Sequence, residues 1–161
     1  MDLRRLRAGE WIAGTAGVVL LVSLFMPWYD VAGADVSAFE AFAINDVLLL
    51  GLAASGIALV AVTVYQQSPA VTIALDALIT LFAIAMSLLL LLRVLNMPGD
   101  LDAAGAERSL FAWVGLAATF AILAGGLFAM RDERLSKPGE WTDATGMPID
   151  SPPEIETISS P

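Results

Sequence analysis

The sequence predicts an all-α fold: a four-helix transmembrane bundle, antiparallel and up-down, followed by a disordered acidic C-terminal tail. Three observations carry that expectation. Hydrophobic residues make up 58% of the 161-residue chain, at a mean hydropathy of +0.77, which exceeds an ordinary soluble mix. They gather in four blocks, at 11–28, 47–65, 70–92 and 110–130. Each block is close to the ~20 residues needed to cross ~30 Å of hydrocarbon at ~1.5 Å per residue. Charge is excluded from most of these blocks and collects at the ends and connections, 17 acidic against 8 basic residues.

The predicted elements are helices over 11–28, 38–65, 70–95 and 110–131, within a membrane domain of residues 1–134 and ahead of a tail of residues 135–161. Arg4, Arg5 and Arg7 precede the first block, and Pro27-Trp28-Tyr29-Asp30 follows it as an interfacial belt. Ala32-Gly33-Ala34 offers a small-x-small cleavage site, but the length of the run and that belt favour a retained helix. Ser37-Ala38-Phe39-Glu40 fits a capping box, so the second helix is expected to begin near Ala38, before the membrane, with Phe39 and Phe42 at the interface. Gln66-Gln67-Ser68-Pro69 is too short a turn for anything but adjacent antiparallel helices. Met97-Pro98-Gly99 ends the third helix, and residues 100–107 form a small acidic loop.

After Arg131-Asp132-Glu133-Arg134 the chain becomes rich in Pro, Ser, Thr and acids without apolar periodicity, the composition of a disordered terminus. Basic residues set the orientation. Arg4, Arg5, Arg7, Arg131, Arg134 and Lys137 lie on one side and only Arg93 and Arg108 on the other, which puts both termini in the cytoplasm of a multi-pass plasma-membrane protein.

Leu24-Phe25-Met26-Pro27-Trp28-Tyr29, Ser37-Ala38-Phe39-Glu40-Ala41-Phe42 and Gly125-Gly126-Leu127-Phe128-Ala129-Met130-Arg131-Asp132-Glu133 together resemble a set of small, uncharacterised four-helix membrane proteins of actinobacteria. The resemblance leaves out the tail. It implies a tetraspan protein and brings no catalytic residue with it.

Composition narrows the chemistry. With no Cys and no His, disulfides, thiolates, imidazole catalysis and the usual zinc or haem ligands are out, so no cofactor or metal centre is expected. Asp100-x-Asp102 supplies two carboxylates without a further ligand set and reads as solvated. No basic stripe with interleaved aromatics is present, so nucleic acid is not an expected partner. The expected partners are the lipid bilayer and other membrane proteins or a second copy.

Asp76 is the residue that demands an account, because a carboxylate inside a membrane helix is a functional candidate by default. At helical spacing it shares a face with Thr72, Thr80, Ala83 and Ser87. It lies ~9 Å from the cytoplasmic end of its helix, short of the midplane. Antiparallel geometry also suggests an ion pair between Asp46 and Arg93 at the outer end. Ala117, Ala121 and Gly125 in the fourth helix, Gly51 and Ser55 in the second, and Ala13 and Gly17 in the first form small-residue ridges suited to close helix packing. No nucleophile–base pair or facing carboxylates emerge, so no enzyme is expected. The function expected is structural or interactive, with proton- or cation-linked transport through Asp76 as the alternative.

Overall fold

The computed structural model describes residues 6–41, 45–65, 69–97 and 99–132. In chain order the elements are α1 (Ala8–Leu24), β1 (Pro27–Val31), β2 (Ala34–Ser37), α2 (Ala38–Ala41), α3 (Asn45–Tyr65), α4 (Pro69–Leu95), α5 (Gly99–Ala103), β3 (Glu107–Arg108) and α6 (Leu110–Asp132). The expected tail at 135–161, Phe42 and the turn at 66–68 lie outside the described residues.

Long apolar helices dominate. Three of the described helices are long and apolar enough to cross a membrane, those beginning at Asn45, at Ile73 within α4, and at Leu110. α1 packs along both α3 and α6, and α4 packs along the same two helices from the other side. Glycines set the closeness of the α1 contacts. A Cβ on Gly17 would lie 2.8 Å from the Ala53 carbonyl oxygen, and one on Gly56 would lie 2.8 Å from that of Ala13. On the opposite side of α1, a Cβ on Gly125 would meet the Ala13 nitrogen at 2.6 Å and the Gly9 oxygen at 2.7 Å. Helix backbones therefore touch, which maximises dispersion contact where lipid supplies no hydrophobic drive between helices.

The all-α expectation needs correction. A small antiparallel sheet of order β2-β1-β3 stands at the end of the helices where α1 finishes. α1 is consequently shorter than the expected 11–28: it begins at Ala8 and stops at Leu24, 17 residues in all. The physical reason is Pro27, which lacks the amide needed to continue a helix and drives Met26 out of the helical region. The carbonyl groups left at the helix end are satisfied locally. Ser23 oxygen accepts the Met26 amide at 3.0 Å and the Trp28 indole at 2.7 Å.

β1 and β2 form a hairpin closed by Ala32-Gly33, both with positive φ, 54° and 86°. That pair of left-handed residues twists with the flanking strands, and Asp30 Oδ1 accepts the Gly33 amide at 2.7 Å to hold it. The register shifts between Pro27 and Tyr29, so Trp28 sits in a bulge. A bulge lets two successive side chains turn the same way, and both Trp28 and Tyr29 are fully buried. The Trp28 ring lies over Gly115 at the start of α6, where even a Cβ would collide with it.

The remaining connections are tied to the same end. The Ser37–Glu40 cap forms: Glu40 Oε2 accepts the Ser37 amide at 2.8 Å and its hydroxyl at 2.9 Å, which holds the Glu40 carboxyl below its ordinary pKa. It serves α2, a single turn; the continuation into α3 passes through 42–44, outside the described residues. The loop after α4 contains α5, which ends in a Schellman turn. There Gly105, at φ 69°, donates to Asp102 oxygen at 3.0 Å, and Ala106 donates to Leu101 oxygen at 3.0 Å. β3 then adds Arg108 opposite Tyr29. The Arg108 guanidinium donates to the Val94 and Leu95 oxygens at 2.6 and 2.9 Å, capping the C-terminus of α4.

Trp28 should therefore be the most sensitive residue of this region. Trp28→Ala is expected to lose about 3–5 kcal/mol of stability and Trp28→Phe about 1–2, since Phe keeps most of the packing and loses the indole hydrogen bond. Unfolding in detergent, followed by circular dichroism, measures both.

Candidate functional site

α4 divides its surface sharply. Asp76, Ile79, Thr80, Ala83, Met86, Ser87, Leu90 and Val94, at three- and four-residue steps, are buried, while Leu78, Leu81, Leu88 and Leu92 are 58–66% exposed. The polar residues thus face protein and the leucines face outward, as the burial of a carboxylate and two hydroxyls away from lipid requires. Asp76 is 0% exposed. Thr72 lies one turn earlier on α4, with its side chain outside what the structure describes.

Gly126 of α6 supplies the other wall. The position a Cβ would take there is occupied by the Thr80 hydroxyl. The Thr80 and Ser87 hydroxyl oxygens accept and donate no hydrogen bond in this packing. Thr80 sits in a tight seam between α4 and α6.

A second buried carboxylate, Glu10, joins this end of the molecule. It is 4% exposed, and its Oε2 accepts the Arg7 backbone amide at 2.8 Å. Contacts fix its height. Gly9 touches Ala129 and Gly125 while Gly126 touches Thr80, so Glu10 and Asp76 belong to the same end of the helices. Thr63, near the C-terminus of α3, is buried too, with its hydroxyl unbonded. Sequence reasoning missed Glu10. The readable signal was Arg7-x-x-Glu10, the spacing at which a third-position Glu reaches back to the amide before a helix.

At the opposite end, Asp46 is 5% exposed, and its Oδ1 accepts no hydrogen bond from the described residues. Arg93 and Arg108 both act on Tyr29. Burial raises the Tyr29 phenol above its ordinary pKa, and the positive fields of Arg108 and then Arg93 pull it back.

The packing ridges are distributed differently from the sequence expectation. Gly125 is at the close contact with α1, but Ala117 is exposed and Ala121 half-buried, and both line a shallow groove with Ile12, Ala16 and Val19 of α1. On α3 the close approach belongs to Ala53 and Gly56. A Cβ on Gly51 would meet the Phe82 ring at 3.9 Å, an ordinary contact, and Ser55 hydrogen-bonds back to the Gly51 oxygen at 2.7 Å. The Gly51-Ser55 ridge is legible at four-residue spacing, but the partner selects the face, and Gly17 on α1 meets Ala53, Gly56 and Ile57.

Comparison with protein-family models, curated proteins and solved structures returns no match. The site must be read from its own chemistry. Among the described residues no group of three or more acidic side chains is placed to hold a metal ion. What the arrangement offers is a pair of buried carboxylates at one end, α4 hydroxyls along a seam, and a sheet closing the other end.

The seam itself is testable through its tightest contact. Gly126→Ala should destabilise by about 1–3 kcal/mol through overpacking against Thr80, whereas Thr80→Ala, which removes an unbonded hydroxyl, should change stability by less than about 1. The double variant should recover most of the Gly126→Ala loss, a coupling read from a double-mutant cycle of detergent unfolding.

Proposed function

We propose that the protein is a multi-pass component of the cell membrane with a structural or protein-interaction role. In this reading α1, α3, α4 and α6 form an antiparallel four-helix bundle, both termini are cytoplasmic, and the sheet lies outside. The same reading groups the chain with the small actinobacterial four-helix proteins that its sequence resembles. The observation that carries it is the partition of α4, polar face inward and leucine face outward, which is the arrangement a bilayer demands and water does not. α1 is short for a span, ~26 Å at 17 residues. The bulged Trp28-Tyr29 pair, buried beneath the sheet, would complete its passage to the interface.

An interaction role suits what is left exposed. The hairpin tip, Ala32 to Asp35, leaves small side chains and one carboxylate exposed. The helix seams are filled by glycine contacts, and no described helix interior is interrupted by proline, the device that opens backbone to a passing ion. Partners would be other membrane proteins or a second copy, within lipid.

One observation favours the transport alternative: Glu10 is a second buried carboxylate at the same end of the helices as Asp76. Proteoliposomes separate the two readings. The structural reading predicts that wild type and Asp76→Asn pass protons and monovalent cations no faster than protein-free vesicles. A flux that Asp76→Asn and Glu10→Gln both abolish assigns the function to transport. Because the chain contains no cysteine, orientation is checked in the same preparation of cells: a Cys at Asp102 should react with an impermeant maleimide from outside, and one at Ser151 only after permeabilisation.

A further inference from the structure

An apolar groove of about 360 Å³ runs between α1 and α3, lined by Trp11, Gly14, Val18, Ile57, Ala61 and Tyr65 among others. From Trp11 to Val18 it follows ~10 Å of helix. Its shape comes from small residues: Gly14 packs directly against the Val60 side chain to make the floor, and Ala61 leaves the flank low. A second groove of similar size, between α1 and α6, is lined by Ile12, Val19, Val114 and Ala117 and carries no aromatic or basic residue.

The two differ in what stands at the mouth. Trp11, 51% exposed, and Tyr65, 68% exposed, flank one end of the α1–α3 groove. Both are side chains with an apolar body and a polar tip, which settle at the headgroup level of a bilayer. Arg7 lies one turn before Trp11, whose amide donates to the Arg7 oxygen at 3.2 Å, and Arg4 and Arg5 precede it in the sequence. Glu10, the acid of the first turn of α1, is buried and engaged with the Arg7 amide, so it does not face the mouth to cancel that charge. The groove is therefore dry and chain-shaped at depth and basic where it reaches the surface.

We propose that the α1–α3 groove holds one acyl chain of an anionic phospholipid of the cytoplasmic leaflet, with the phosphate drawn to Arg7 between Trp11 and Tyr65. The proposal rests on the membrane reading above. The apolar walls recognise the chain, and the basic mouth selects an anionic over a zwitterionic headgroup, because only the former carries net charge toward the arginine. The α1–α6 groove, lacking that mouth, takes lipid without headgroup preference.

The test uses the full-length chain in phosphatidylcholine bilayers containing either a phosphatidylglycerol or a phosphatidylcholine probe with a photoreactive diazirine on one acyl chain, the adducts being located by peptide mass spectrometry. The phosphatidylglycerol probe should label Trp11–Val18 and Ile57–Tyr65 several-fold more than the phosphatidylcholine probe does. Ala61→Phe, which fills the groove at an exposed position, should remove that excess and leave labelling of the α1–α6 groove unchanged. Arg7→Gln should reduce the excess by about fivefold, the weight of one basic residue at an anionic surface. Equal labelling by the two probes, or an excess that survives both substitutions, overturns the lipid site. Absence of labelled lipid with this stretch crosslinked to a second protein instead assigns the groove to a helix and also overturns it. A chain that takes no label on any helix from either probe fails the membrane reading itself, and the lipid site falls with it.

Discussion

The structure depends on the backbone contact that α1 makes on its two sides. Gly17 and Gly56 bring α1 against α3, and Gly9 and Gly125 bring it against α6, each at a distance that excludes a β-carbon. In a bilayer such contacts are a main source of helix association, because lipid tails compete equally for any apolar side chain. α1 is also the shortest of the four long helices. Its position between two glycine-bearing partners compensates for length: the neighbours hold it by close approach along most of its turns. Everything else follows from that height and rotation. Glu10 is turned inward at one end, Trp28 is delivered over Gly115 at the other, and the α1–α3 groove is left open beside the exposed Ala61.

The sheet is best understood as the consequence of ending α1 early. Pro27 stops the helix, the bulge at Trp28 turns two aromatic side chains inward, and the hairpin that follows must then pair somewhere. Arg108 solves two problems together. Its backbone adds β3 to the sheet, and its guanidinium satisfies the carbonyls at the end of α4. The sheet-side ends of α1, α4 and α6 are thereby connected through one small hydrogen-bonded unit, and Ser109, bonded to Trp28 and Pro27 oxygens, closes the link into α6.

Much of this was legible in the sequence, for physical reasons that also explain what was not. The long apolar helices were visible because burial in lipid demands an unbroken apolar run, and the inward face of α4 was visible because a carboxylate and two hydroxyls at helical spacing can share only one shelter. The Ser37–Glu40 box was a local pattern, and its Glu40 half formed, with the Ser37 hydroxyl donating to the same carboxylate. The sheet was hidden because its strands are two to five residues long and its turn is Ala-Gly rather than Asn-Gly, too little for periodicity to register. The burial of Glu10 was hidden because it depends on α6 arriving beside Gly9, a tertiary event. Likewise, four-residue spacing pointed to Gly51-Ser55 on α3, whereas the close contacts with α1 fall at Ala53 and Gly56. That choice belongs to the partner helix.

The account stands on the glycine contacts of α1, and one comparison tests them most directly. Thermal unfolding in detergent of Gly56→Leu should show a loss of about 2 kcal/mol or more, because the new side chain must push α1 from α3, while Ala58→Leu, two residues along the same helix and exposed, should leave the midpoint nearly unchanged. Equal midpoints for the two variants would contradict the central claim and leave α1 without its anchor.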